Sequence, residues 1–446
     1  MGITDLILFP IYVYIFHRIF SRKRKKINNP LLEKYHRQAF WLRVFSTVAF
    51  TVFCLYISPS DSNAIYFPEG VNLAHLALKD PTNLKWFFLP AAQYDTSLIA
   101  TDAFPGYFGS EANFFVMRLV GFFAFFSFGS YIVINLFFSM LAFTGLWRLY
   151  LFFYEQYPHL HKKLAIAILF LPTLIFWSSG ILKDSICIGM LGWLTYSSFT
   201  VFYKRKSVFK NTIIAFIAAF VLLLVKGYIL YAYIPFFLLF LVLKNIGKIK
   251  NIVFRILVLI MLVLVSVGGF IIVSNRLQSE MGFFAIDKLA ESVGTQQTNY
   301  INMADLAGSS FSLGVEYDGS VTSLVKMAPA AVVATLFRPF LWESKKLSTL
   351  LSSLESLAIM MLTLYVFFKA GPANFIFILF RDPMVLFCFS FSVVFALFVG
   401  ATTLNFGTLV RYKIPCLPFY VIALFLILDI YNKKKKSKRP PSSVVV

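Results

Sequence analysis

The chain has 446 residues, of which 59% are hydrophobic, 18% are aromatic and only 14% are charged. A soluble domain usually carries about 25% charged and about 45–50% apolar residues, so this composition excludes a soluble globular fold and disfavours a disordered chain and a coiled coil. The net charge of +21 would suit a nucleic-acid partner, but in a membrane protein the positions of the 41 lysines and arginines matter more than their number. We therefore expect an all-α, multi-pass membrane protein that contacts membrane lipid and no nucleic acid.

Eleven apolar segments have the length of a membrane-spanning helix, which is about 17 to 25 residues for a hydrocarbon core of about 30 Å. In chain order they lie near residues 3–20, 40–58, 131–153, 164–180, 185–203, 211–226, 227–243, 252–274, 351–369, 383–402 and 412–431. Two further apolar stretches, 113–128 and 327–342, contain Arg118 and Arg338. We predict that both are helices lying in the outer membrane interface, where arginine can reach the headgroups.

The basic residues cluster in alternate connections between these segments, namely residues 22–37, 162–163, 204–210, 244–250 and 433–439. The positive-inside rule places those connections in the cytoplasm, so we expect the N-terminus outside and the C-terminus inside the plasma (inner) membrane. Most of the 20 carboxylates then fall on the outer side. This asymmetry predicts that the polar chemistry of the protein lies outside.

The predicted organisation has six parts. They are an N-terminal transmembrane pair (1–58), a first extracytoplasmic region (59–130), a transmembrane bundle (131–274), a second extracytoplasmic region (275–350), a C-terminal transmembrane bundle (351–431) and a basic tail (432–446). Each extracytoplasmic region is predicted to end in one of the two interfacial helices. We expect a functional site to be built mainly from these two regions.

Missing motifs narrow the function further. The sequence has no phosphate loop of the Gly-x-x-x-x-Gly-Lys type and no His-Glu-x-x-His, which argues against an ATP-driven pump and a zinc protease. Transporters usually bury charged groups in the middle of their spans, whereas the predicted spans here are nearly free of charge. Glu355 and Asp429 are predicted near helix ends and Lys226 in a tight outer turn. This pattern disfavours a transporter without excluding one.

Four basic residues stand beside aromatic side chains at the outer ends of predicted spans. They are Lys183, Lys226, Arg338 and Arg411. A cation at this level suits the phosphate of a lipid whose chain lies in the bilayer. Each residue taken alone could equally be an anchor whose charged end reaches the membrane surface. Because four such positions occur together, we predict a site that binds a lipid phosphate.

Acidic residues in the first extracytoplasmic region are candidates for a general base. Asp61 comes directly after a predicted span, which would hold its carboxylate at the membrane surface, and Glu69 and Asp102 are weaker candidates. The alternatives are a turn or helix-cap aspartate for Asp61 and solvated loop acids for the other two. Asp61 and Asn63 could give two oxygen ligands to a divalent cation, but two are too few for a metal site. We assign no metal ligand, no cofactor is certain, and dependence on a divalent cation stays open.

Three segments and the general layout carry a resemblance to a known class of enzymes. The segments are LPTLIFWSSGILKD (171–184), FRPFLWE (337–343) and NFGTLVRYKIP (405–415). With many short spans and an acidic first outer loop, the chain resembles the GT-C glycosyltransferases, which use polyprenyl-phosphate-linked sugars. The resemblance implies that Asp61 is the base and that the outer basic residues hold the lipid phosphate. The acidic loop follows the second apolar segment here, not the first, and Asn63 stands where the family has a second acid.

The function expected from these features is transfer of a sugar from a polyprenyl-phosphate donor to a glycan, lipid or protein acceptor, outside the membrane and in cell-envelope glycan assembly. One alternative is an O-antigen or exopolysaccharide polymerase, which the two large outer loops with arginines also resemble. In that case Arg276, Arg338 and Arg411 would matter more than Asp61. A second alternative is a non-catalytic transporter or assembly subunit.

Overall fold

The structure is a computed structural model, and it describes residues 2–25, 27–101, 106–246, 310–315, 321–344 and 347–437. These residues are all α-helical apart from turns, short π- and 3-10-helices and loops, and they contain no strand. A single isolated bridge joins Ser310 and Asn405. The predicted span 252–274, Asp102 and Arg276 lie outside the described residues.

Fifteen helices are described, and two units can be separated, Met1–Gly227 and Tyr228–Val446. The first unit contains α1 (Ile3–Lys25), α2 (Pro30–Val52), α3 (Phe67–Lys79), α4 (Glu111–Ser127), α5 (Tyr131–Tyr154), α6 (His161–Leu169), α7 (Pro172–Trp177) and α8 (Lys183–Phe199). Helix α9 (Val208–Ile246) begins in the first unit and ends in the second. The second unit also contains α10 (Val321–Phe337), α11 (Leu347–Ala370), α12 (Pro372–Arg381), α13 (Pro383–Thr402), α14 (Phe406–Tyr412) and α15 (Leu417–Ser437).

Seven of the described helices are long and apolar enough to cross a membrane, and there are eight spans if the bent pair α14 and α15 counts as one. The prediction of eleven spans is therefore not confirmed. The predicted span 164–180 is divided into α6 and α7, because Pro172 has no amide hydrogen to continue a helix and instead begins a new one. Which membrane the chain occupies and which way it is oriented stay predictions.

The two predicted spans 211–226 and 227–243 belong to the one helix α9. Its backbone is non-helical at Lys226, with φ −149° and ψ 73°. At a rise of about 1.5 Å per residue, each half of α9 is about 30 Å long, which is close to the thickness of the hydrocarbon core. The interruption at Lys226 therefore falls where the sequence predicted a turn between two spans.

The stretch 113–128, predicted to be interfacial, coincides with α4 (17 residues). The stretch 327–342 is helical only as far as Phe337, where the 17-residue helix α10 ends, so Arg338 lies beyond the helix and not within it. Helix α4 packs against α3, and α10 packs against α13. Arg118 on α4 donates to the Glu111 carboxylate at 3.0 Å and to the Trp86 carbonyl at 3.0 Å. The guanidinium of Arg118 is therefore bound within the protein, and its reach to lipid headgroups stays a prediction.

Helix α5 is the centre of the first unit and contacts α1, α2, α6 and α8. Its contact with α8 is made through glycines: a Cβ atom on Gly145 would lie 1.9 Å from the Gly189 carbonyl oxygen, and one on Gly192 would lie 2.0 Å from that of Gly145. Such small residues allow two helix backbones to touch. The second unit has a similar contact, where a Cβ on Gly400 of α13 would lie 2.1 Å from the Ala331 carbonyl oxygen of α10.

Candidate functional site

The first unit contains a buried break between α7 and α8. Residues 178–182 are not helical, and all five are buried. Irregular backbone is tolerated among membrane helices only where protein or trapped water satisfies its polar groups. Gly180 is required at the centre of the break, because a Cβ there would lie 2.0 Å from the ring of Phe50. The segment WSSGILKD quoted for the family resemblance is thus the irregular connection between two helices.

Arg43 of α2 donates hydrogen bonds to the part of the break that follows α7. Its Nη1 donates to the carbonyl oxygens of Ile175 (3.3 Å) and Ser178 (3.0 Å), and to the hydroxyls of Ser178 (2.7 Å) and Ser179 (3.3 Å). The side chain is buried, with 2% of the residue exposed. Its Nη2 has no acceptor among the described residues.

Asn135 of α5 accepts a hydrogen bond from the part of the break that precedes α8. Its Oδ1 accepts from the Ile181 amide at 2.9 Å, and its Nδ2 donates to Thr51 Oγ1 at 2.9 Å. The Ser185 hydroxyl donates to the Gly180 carbonyl at 2.6 Å. Side chains from α2, α5 and α8 therefore satisfy the backbone that the missing helical turn leaves without partners.

Two lysines and two aspartates lie just beyond the break. Lys226, at the interruption of α9, forms a buried ion pair with Asp184 in the first turn of α8, and Nζ and Oδ1 are 2.5 Å apart. Lys183 interacts electrostatically with Lys226, Asp184 and Asp61. We call Asp61, Lys183, Asp184 and Lys226 the charged cluster. It brings together three of the residues predicted from the sequence, Asp61, Lys183 and Lys226.

Asp61 lies at the start of a wide helical turn, Ser62–Tyr66, and is half-buried. The turn is anchored by the Ser62 hydroxyl, which is 2.8 Å from the Tyr131 hydroxyl of α5. The Asn63 side-chain oxygen accepts a hydrogen bond from the Ser60 backbone amide at 2.8 Å, so the Asn63 side chain helps to fix the conformation of the loop. Among the described residues, no three His, Cys, Asp or Glu side chains come together as a metal site.

Glu69 is buried in α3 and has a structural task. Its Oε1 accepts from the backbone amides of Ala100 at 2.8 Å and of Thr101 at 2.5 Å, which fixes the end of the loop that follows α3. The same loop contains Asp95, whose pKa is lowered by hydrogen bonds from Ser97, and Tyr94, whose pKa is raised by burial and by the nearby carboxylates. These contacts support a role for Glu69 in holding the loop.

The second unit contains a cluster around Arg338, where two of the three quoted segments meet. Arg338 makes a two-pronged ion pair with Glu343, and its Nη1 donates to the Ser312 carbonyl at 2.9 Å. Its guanidinium carbon is 4.4 Å from the ring centre of Phe311 and 5.3 Å from that of Phe406. Arg338 is thus tied to neighbouring residues by contacts that hold three chain segments together.

Lys413 lies beside this cluster, in the bend between α14 and α15, and is completely buried. Its Nζ donates to the Ser356 hydroxyl at 2.7 Å and to the Arg338 carbonyl at 3.1 Å, and it interacts electrostatically with Glu355. Arg411, the fourth predicted phosphate ligand, is half-buried near the end of α14. The two remaining predicted ligands, Arg338 and Arg411, therefore belong to the second unit, whereas Lys183 and Lys226 belong to the first.

Sequence reasoning assigned no role to Arg43 and Lys413. Both carried a usable signal, because a charged residue inside an apolar run is uncommon and is often functional. The predicted span 40–58 places Arg43 near its start. In the structure α2 begins at Pro30, so Arg43 lies well inside the helix.

No protein-family model, curated protein or solved structure matches the chain.

Proposed function

We propose that this protein is a membrane glycosyltransferase of the GT-C type, which transfers a sugar from a polyprenyl-phosphate donor to a glycan, lipid or protein acceptor on the outer side of the plasma membrane. The observation that supports this proposal is the charged cluster. It combines two cations that suit a phosphate with a half-buried carboxylate, Asp61, that suits a base. All four residues stand at interruptions or ends of apolar helices, where a lipid-linked substrate can be met.

In the proposed direct displacement, residues of the charged cluster act on both the acceptor hydroxyl and the leaving phosphate. The acceptor hydroxyl attacks the anomeric carbon of the donor sugar, Asp61 accepts the hydroxyl proton, and the carbon–oxygen bond to the phosphate breaks. The phosphate leaves with the bonding electron pair, and Lys183 and Lys226 stabilise its charge. Asp184 keeps Lys226 in place through their ion pair. The reaction needs one base and two cations, which the first unit provides.

The test uses the purified full chain in liposomes with a short-chain polyprenyl-phosphate sugar and a soluble glycan acceptor. Removing a general base usually lowers a rate by about 10²- to 10⁴-fold, so Asp61→Asn is expected to reduce transfer by that amount while donor binding is retained. Asp80→Asn is the matched control. Asp80 is an exposed aspartate of the same unit that caps a short helix through Thr82, and asparagine can make the same cap.

Full transfer by the Asp61→Asn variant would overturn the assignment of the base, and no transfer by the unsubstituted protein with any lipid-linked donor would overturn the function. The length of the product separates a transferase from a polymerase. A transferase adds one unit, whereas a polymerase joins whole oligosaccharides into a long chain.

A transporter is a second candidate, and the buried charges favour it more than the sequence did. Arg43, the pair Asp184–Lys226 and Lys413 are all buried beside interruptions of apolar helices. Charged groups at discontinuous helices commonly form the substrate sites of transporters. A transporter would move its substrate across liposomes that contain no lipid-linked sugar, and the same substitution Asp61→Asn would leave that flux unchanged if Asp61 serves only as a base.

A further inference from the structure

Arg43 stands out among the charged residues of the first unit because it is buried without a charged partner. It lies well inside a helix of the length of a membrane span, and among the described residues its hydrogen-bond partners are backbone carbonyls and serine hydroxyls. A buried charge is costly unless hydrogen bonds compensate it. The contacts of Arg43 must therefore be what keeps this residue in place.

Those contacts converge on one short stretch of chain. Every acceptor belongs to residues 175–179, which are the end of α7 and the start of the break. The last carbonyls of a helix have no partner within the helix and carry partial negative charge, so a cation is stabilised there. Helix α7 has only six residues, and the Ser178 and Ser179 hydroxyls donate to the carbonyls of Leu174 and Ile175 at its end. Arg43 adds donors to the carbonyls of Ile175 and Ser178, which fix this end to α2.

Only a few residues of chain separate the backbone that Arg43 contacts from the charged cluster. Lys183 begins α8 directly after residues 178–182, and this connection is buried throughout. Gly180 at its centre packs against the ring of Phe50, and the Ile181 amide donates a hydrogen bond to Asn135. Because both contacts restrict the backbone, the connection cannot easily change its conformation. A shift at Ser178 would therefore be passed on to Lys183 and Asp184.

We propose that Arg43 is a positioning residue: by fixing the break between α7 and α8 it sets the positions of Lys183 and Asp184, and with them the affinity of the charged cluster for the donor phosphate. This inference rests on the function proposed above. It assigns to Arg43 no contact with the substrate. All four contacts are made by the single nitrogen Nη1, so a lysine ammonium is expected to replace part of them.

A first experiment measures the break without any assay of activity. Cys187 lies one turn after Lys183 on α8 and is buried, and Cys388 is a buried cysteine of the second unit that serves as an internal reference. Labelling by a membrane-permeant maleimide, followed by mass spectrometry of each cysteine, reports local opening. In the full chain, Arg43→Gln is expected to raise the labelling of Cys187 relative to Cys388 by about tenfold, and Arg43→Lys by less.

The matched control is Arg148→Gln. Arg148 is also an arginine inside an apolar helix of the first unit, and it also contacts α8, where its guanidinium carbon lies 4.7 Å from the ring centre of Trp193. The hydrogen bonds to residues 175–179 described above come from Arg43 and not from Arg148. Its replacement is expected to leave the labelling of Cys187 unchanged, which separates an effect of the break from the general loss of an arginine inside an apolar helix that contacts α8.

A second experiment measures transfer kinetics of the same variants. If Arg43 positions the phosphate-binding residues, Arg43→Gln raises the KM for the lipid-linked donor about tenfold, and Arg43→Lys recovers part of the loss. A merely structural role would reduce the amount of active protein, which lowers kcat and leaves KM unchanged. Unchanged labelling of Cys187, or an unchanged KM in an active enzyme, would overturn the proposal. Increased labelling in a chain whose unsubstituted form transfers no sugar would support the role of Arg43 at the break and overturn the transferase function instead.

Discussion

The ion pair between Asp184 and Lys226 shows why single buried charges matter in this protein. Both side chains are almost completely buried, with 1% and 6% of their surface exposed. Removing two charges from water costs several kcal/mol, which their attraction must offset, so a buried pair contributes little net stability but is damaging to break. Its value is in fixing position: it ties the start of α8 to the interruption of α9.

At this scale we expect Asp184→Asn to lower the free energy of unfolding by about 3–5 kcal/mol, because it leaves the ammonium of Lys226 buried without its carboxylate. The double variant Asp184→Leu/Lys226→Met should be more stable than Asp184→Asn, since no charge is then buried. Reversible unfolding in mixed micelles measures both. A single variant as stable as the unsubstituted protein would show that the pair is open to solvent.

The packing of helix α5 against helix α8 holds the candidate site in place. Helices α5 and α8 cross with their backbones in contact, at Gly145, Gly189 and Gly192. Helix α5 also carries Asn135 and Tyr131, which anchor the break and the loop of Asp61. The close crossing therefore places Asn135 beside the break that precedes α8. Any separation of these two helices would also disturb the charged cluster.

Alanine at the crossing is expected to destabilise the protein because there is no room for a Cβ. Gly145→Ala and Gly192→Ala should each cost about 1–3 kcal/mol, the usual range for overpacking, and Gly189→Ala should cost less because its nearest atom would lie 3.0 Å away. Gly109→Ala is the control, since no atom of the described residues lies within 4 Å of the position of its Cβ. Thermal unfolding of the four variants in detergent gives the ranking. Equal stability of all four would refute the close backbone contact.

The topology is the main question at the scale of the whole molecule. The alternation of basic connections requires that α4 does not cross the membrane, and its 17 residues packed on α3 agree with that requirement. Helix α5 would then be the first crossing after Asp61. The proposed site depends on this arrangement because its donor is expected on the outer side.

Two exposed reporter positions test the sidedness. Ser97 precedes α4 and His159 follows α5, and both are exposed. The four native cysteines are buried, so they can stay in place. With an impermeant maleimide, Ser97→Cys should be labelled from outside intact cells and His159→Cys only in inverted vesicles. Labelling of both from the same side would mean that α4 spans the membrane and would overturn the predicted topology.

Composition and the hydropathy pattern were sufficient to predict a membrane protein built of α-helices, because each span satisfies its own backbone and needs only a local run of apolar residues. The ends of helices were predicted less well. The sequence placed the second span at residues 40–58, whereas α2 begins at Pro30, capped by the side chain of Asn29. Segment 164–180 was predicted as one span but contains two helices, because its apolar character conceals the start of a new helix at Pro172.

The sequence by itself determined that this is a multi-pass helical protein and that Asp61, Lys183 and Lys226 are chemically suited to a site. Only the tertiary structure decided that these residues lie together, that Arg338 is bound to Glu343, and that Arg43 holds a helix break. The physical reason is the range of the interactions. Hydropathy and helix formation depend on neighbours along the chain, whereas Arg43 and Ser178 are 135 residues apart and meet only after the helices that carry them have packed.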